Sequence, residues 1–106
     1  MFARNLYLHL KPNSVAEFTH TIEMEVIPLL RKQKGFQDEI TFVTPNGTEV
    51  VGISLWDEKS DAEAYDRRAH PAVLKALAKV AQGTPEVQTF EVSNSTFHKI
   101  AAKLAV

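Results

Sequence analysis

Hydrophobic and polar residues alternate from Phe2 to Leu10, with Leu6, Leu8 and Leu10 on one side and Asn5, Tyr7 and His9 on the other. A period of two marks a strand half-buried on a sheet. Lys11-Pro12-Asn13 ends that strand, and the period then changes. Val15, Phe18, Ile22, Val26, Leu29 and Leu30 recur at helical spacing and form one apolar stripe. Ser14 and Glu17 ahead of the stripe predict a capping box, in which hydroxyl and carboxylate satisfy two orphan donors. Pro28 brings no N–H, so a kink or reset is expected between Val26 and Leu29. Lys32 and Lys34 suit the negative end of the helix dipole, and Gly35 can turn the chain after it.

Phe36 to Thr44 and Thr48 to Trp56 flank Pro45-Asn46-Gly47. Asn-Gly between two such arms predicts a hairpin with a type I′ turn. In the second arm Val51, Ile53 and Leu55 alternate with Val50, Gly52, Ser54 and Trp56. Ser60 and Glu63 offer another capping box, and the helix they open should break at His70-Pro71. Beyond the break Val73, Leu74, Leu77, Val80 and Ala81 lie on one side. Gly83-Thr84-Pro85 punctuates the chain, and Val87 to Val92 reads as the final strand. The order is β-α-β-β-α-β, an α+β, ferredoxin-like plan: a four-stranded antiparallel sheet with helices on one face. Residues 1–106 read as one domain, with residues 93–106 as a C-terminal tail docked on the sheet or on a partner subunit.

Such a sheet buries one face under its helices. Tyr7, Ile40, Phe42 and Trp56 are expected on the other, among Asn5, His9 and Ser54. An apolar and aromatic face of that kind marks an interface or a binding site, and dimerisation would cover it.

Composition narrows the function. Net charge is −1 across the 106 residues, with no basic stripe of the kind that displaces counterions from nucleic acid. There is no cysteine, which excludes disulfides and thiolate metal sites. No apolar run reaches the roughly 18 residues of a membrane span. Met1-Phe2-Ala3-Arg4 does not read as the start of a signal peptide, so a cytoplasmic protein is expected. Neither a phosphate loop, a dinucleotide fingerprint nor a nucleophile elbow is present.

Gly35-Phe36-Gln37, the hairpin, the run Ser54-Leu55-Trp56-Asp57-Glu58-Lys59-Ser60-Asp61-Ala62-Glu63-Ala64-Tyr65 and the later His70-Pro71 resemble the antibiotic biosynthesis monooxygenase (ABM) family. The resemblance implies a homodimeric α+β barrel, and a pocket between each sheet and its helices or at the barrel mouth. It also implies one of several activities, among them oxygenation of aromatic phenols without a cofactor and the degradation of haem. The haem degraders carry an Asn on the first strand, a Trp on the second helix and a His about ten residues on. Asn5 matches the first, but Tyr65 and Lys75 stand at the other two positions, so haem is disfavoured.

A cofactor-free oxygenase needs a base to deprotonate its substrate and donors to hold the resulting anion. His70 and His9 are the candidate bases, because imidazole titrates near neutrality. Asn5, Tyr65 and Tyr7 are candidates to orient the anion, with Trp56 and Phe42 as pocket walls. Trp56 reads more simply as a structural aromatic at the subunit seam. Arg67-Arg68 reads as a solvated face, or else as a clamp for an anionic substrate. No two histidines have metal-site spacing; His20 falls on a helix exterior and His98 in the tail. The expected ligand is a small hydrophobic or aromatic molecule, with no bound cofactor and no metal. The alternative is a non-catalytic ligand-binding or stress-response dimer.

Overall fold

A computed structural model describes residues 1–97. Strand β1 (Phe2–Leu10) is followed by a helical stretch made of α1 (Val15–Thr21), a π-helical turn (Ile22–Val26) and α2 (Ile27–Arg31). The hairpin strands β2 (Phe36–Val43) and β3 (Glu49–Trp56) come next, then α3 (Lys59–Arg68), α4 (His70–Leu77) and β4 (Ala81–Glu91). All strand pairs are antiparallel, in the order β2-β3-β1-β4. This is the expected ferredoxin-like plan.

Register settles which residues share a face. Phe2 lies opposite Trp56, Arg4 opposite Ser54, Leu6 opposite Gly52 and Leu8 opposite Val50. These positions face the helices, where Leu8, Leu10, Val50 and Trp56 pack with Phe18, Val26, Leu30, Tyr65, Val73 and Leu77 in the core. The odd positions of β1 and β3 face away, joined by Ile40 and Phe42 of β2 and Phe90 of β4. That second face is apolar and open: Ile40 and Phe42 are 47% and 52% exposed. Phe97 lines a hollow on it with Ile40, Ile53 and Leu55. Most of the tail expected to dock, including His98, lies outside the described residues.

The helix breaks fall where the sequence places them. Pro28 cannot donate an N–H, and the turn before it widens so that the Ile27 N–H donates to the Ile22 carbonyl, five residues back. Pro71 occupies the first turn of α4, where a missing N–H is harmless.

Several local expectations fail for identifiable reasons. Neither capping box forms. The Ser14 hydroxyl donates instead to the Pro12 carbonyl at 3.3 Å, and α3 starts two residues early with Glu58 at its N-cap, so Ser60 is already inside the helix. The hairpin turn is not type I′, because Gly47 but not Asn46 has positive φ. Pro45 fixes its own φ for the second position of a type I turn, closed by Gly47 N–H donating to Thr44 O at 2.8 Å, and Gly47 takes the left-handed position after it. Asn46 accepts from the Thr48 amide and from the Thr44 and Thr48 hydroxyls. Strand β4 begins six residues before Val87, since Gly83-Thr84-Pro85 forms an irregularity inside the strand, opposite Tyr7 to His9, rather than a boundary.

Candidate functional site

The first correction concerns Trp56 and Ser54, expected on the open face. Both lie beneath the helices, and Trp56 is 0% exposed. Its indole N–H donates to the Ser54 hydroxyl at 2.9 Å. Its ring meets Phe36 edge-on at 5.6 Å between centroids and Tyr65 at 5.0 Å. Tyr65 comes from the core-facing side of α3, and His70, the first residue of α4, stands 6.1 Å beyond it. The row Phe36, Trp56, Tyr65, His70 therefore crosses the molecule between sheet and helices.

Arg4 completes this cluster, and the sequence reading overlooked it. It occupies the buried phase of β1 with Phe2, Leu6 and Leu8 and is 4% exposed. A lone cation in an apolar phase was the available signal. Its guanidinium carbon lies 5.2 Å from the centre of the Tyr65 ring, within cation–π range. Its Nη2 donates to Asp66 Oδ1 at 2.7 Å.

Burial sets the protonation states. It pushes the Tyr65 phenol up, against the nearby Arg4 charge and with help from Asp66. It pulls His70 down to about 4, assisted by Arg4 and opposed by Asp66. At neutral pH the cluster thus holds a neutral imidazole, a protonated phenol and a fixed positive charge. The His70 Nδ1 is buried with no hydrogen-bond partner, so one polar atom there is unsatisfied.

A cavity of about 40 Å³ lies beside this cluster, lined by Arg4, Glu39, Ser54, Tyr65, Ile22 and Val26 but not by His70 or Trp56, with Gly52 leaving the space a side chain would fill. It has room for ordered water but not for a porphyrin. Lys75 is exposed on α4 where an axial histidine would be needed, and His70 packs beside Tyr65. These residues do not fit haem. Arg4 also lines a groove of about 230 Å³ opening between α3 and β4.

Asn5, Tyr7, His9 and Phe42 sit on the opposite face, separated from Tyr65 and His70 by the sheet. The Tyr7 hydroxyl donates to the Glu49 carboxylate and lies 3.2 Å from His9 Nε2. That bond to Glu49 is the main cause of a raised Tyr7 pKa. Asn5 Oδ1 is buried without a partner. The candidate residues thus form two groups rather than one. Among the described residues no three His, Cys, Asp or Glu side chains are disposed to hold a metal, and no helix is long and apolar enough to cross a membrane.

The architecture is that of the antibiotic biosynthesis monooxygenase structures. A monooxygenase of Streptomyces coelicolor, ActVA-Orf6, solved with nanaomycin D, superposes with a TM-score of 0.75 at 17% identity, covering 89% of this chain and 88% of that one. SnoaB, a cofactor-independent oxygenase of Streptomyces nogalater, gives 0.74 at 14% identity, covering 90% and 95%. NE2512 of Nitrosomonas europaea, a protein of unknown function, gives 0.72 at 18% identity, covering 99% and 94%. No family model and no curated protein matches the sequence.

Proposed function

We propose that this protein is a cofactor-independent monooxygenase of a small hydrophobic, aromatic substrate, working as a cytoplasmic homodimer. The observation that carries the reading is the buried polar cluster of Arg4, Ser54, Tyr65 and His70 walled by Trp56, in a fold shared with cofactor-independent oxygenases. An inert core has no use for a guanidinium and an unpartnered imidazole nitrogen.

The substrate would be one whose conjugate base is electron-rich, such as a phenol or a CH2 group activated by flanking rings. A neutral imidazole at His70 accepts the proton. With its pKa near 4, transfer from a free phenol is uphill by roughly six pKa units, about 8 kcal/mol. Arg4 is the group that narrows this gap, because the guanidinium donors its carboxylate partner leaves free can hold the anion as it forms. The anion passes one electron to O2, and the radical pair combines to a hydroperoxide. Loss of water then leaves a carbonyl, so that CH2 + O2 gives C=O + H2O. Asn5, Tyr7, His9 and Phe42 belong to the open face, where the second subunit would pack, and would act at the barrel mouth. The cavity must widen both to admit a ring and to reach His70 beyond Tyr65, and the π-turn, which supplies Ile22 and Val26 to its wall, is the segment suited to move.

The test is oxygen uptake by the purified protein with hydroquinones and anthrones, compared with His70→Gln. Uptake that requires the protein and falls at least about tenfold in the variant supports the reading. Binding without uptake favours a non-catalytic ligand-holding dimer, which the small volume of the cavity also fits.

A further inference from the structure

We propose that the Arg4–Asp66 pair is the displaceable cover of a carboxylate subsite, so that the substrate is a single-ring aromatic acid held from the groove between α3 and β4. The inference rests on the oxygenase reading for its chemistry but not for the binding itself. Arg4 is the shared wall of the surface groove and the inner cavity. It is buried, while its counterion Asp66 is 55% exposed on α3. A carboxylate free to turn into water is an exchangeable partner, whereas the guanidinium fork cannot leave.

Asp66 already shows which group Arg4 accepts there. A ligand carboxylate takes its place with the same N–H···O geometry, and the planar fork offers a second parallel donor to it. Lys59 and Arg67 at the groove bring further positive charge, against Glu63 alone once Asp66 turns away. Phe2, Ala62 and Val87 provide apolar walls for a ring. The groove volume of about 230 Å³ is below the roughly 300–1,000 Å³ of sites for drug-sized ligands. It suits one ring better than three.

Calorimetric titration with benzoate and with neutral benzamide tests this. Benzoate is expected to bind in preference to benzamide, and Asp66→Asn should bind benzoate about tenfold tighter by removing the competing charge-assisted bond. Glu63→Gln makes the same change in charge without uncovering Arg4 and should alter affinity by no more than about twofold. Equal affinity for benzoate and benzamide, or equal effects of the two variants, would overturn the subsite. If benzoate binds as expected but no phenol or phenolic acid consumes oxygen, the subsite stands and the oxygenase reading fails. Should neutral phenols be oxidised as fast as phenolic acids, unaffected by Asp66→Asn, the subsite fails and the oxygenase stands.

Discussion

Trp56→Ala separates a core role from an interface role. The side chain is fully buried on the helix-covered face, against Phe36 and Tyr65, with its N–H on Ser54. Removing a buried tryptophan typically costs about 3–5 kcal/mol through lost burial and the cavity left behind. Native domains hold only about 5–15 kcal/mol in all. At roughly 4–8 °C per kcal/mol for a domain of this size, the melting temperature should fall by at least about 12 °C. Trp56→Phe keeps a ring between Phe36 and Tyr65 but gives Ser54 no indole donor, and should lose about 1–2 kcal/mol. Urea denaturation across a range of protein concentrations is the assay. The midpoint should drop while its dependence on concentration stays that of the parent, because the side chain does not reach the open face. A variant with the parent's monomer stability but a weakened dimer would refute the placement and restore Trp56 to the subunit seam.

The open face makes the complementary prediction. Phe42→Glu, at an exposed position, should change monomer stability by no more than about 0.5 kcal/mol yet abolish the dimer in sedimentation equilibrium; an unchanged mass would exclude this face as the contact. His70 predicts an acid-side loss. The unfolded chain binds this proton near pH 6.5 and the folded chain only near about 4, so stability falls as pH drops through that window, by up to roughly 3 kcal/mol. Melting curves of His70→Gln between pH 4 and 7 should lack that slope, and an identical slope would contradict the assignment. Gly35 has φ of +79°, and a Cβ there would collide with the buried Asp61 side chain. Gly35→Ala should therefore lose at least about 1 kcal/mol in urea titration, whereas a neutral result would mean that this turn relaxes.

Elements set by long patterns were legible in the sequence, while elements set by pairing were not. The alternation of β1, the apolar stripe before Pro28 and the break at His70-Pro71 each depend on neighbours close in sequence, and each is found. Strand β3 is apolar on both faces, with Val51, Ile53 and Leu55 on one and Val50 and Trp56 on the other. Its own pattern therefore does not say which side meets the helices; the pairing of Phe2 with Trp56 decides it. The same holds for β4, whose early residues are drawn into the sheet by Leu10 and His9 despite Gly83 and Pro85. The capping boxes failed because the Ser14 hydroxyl found a carbonyl just upstream and α3 began before Ser60. Of the candidate site, Trp56, Tyr65 and His70 were named from sequence. Arg4 was missed because the alternation of β1 was read from Asn5 to Leu10 alone, which left a charge in the same phase as Leu6 and Leu8 unweighed.

The two faces of the sheet have a consequence for how such a protein can change over generations. Along β1 the side chains of Arg4 and Leu6 belong to the interior, and those of Asn5 and Tyr7 to the outside. Adjacent codons thus specify two separate properties, the packing under the helices and the makeup of the open face. A substitution at an odd position can retune the open face while the interior keeps its shape, and the reverse holds at even positions. Insertion or deletion of one residue in this strand has no such freedom, since it exchanges both sets at once. Drift by substitution is therefore open to β1, and drift by length is closed to it.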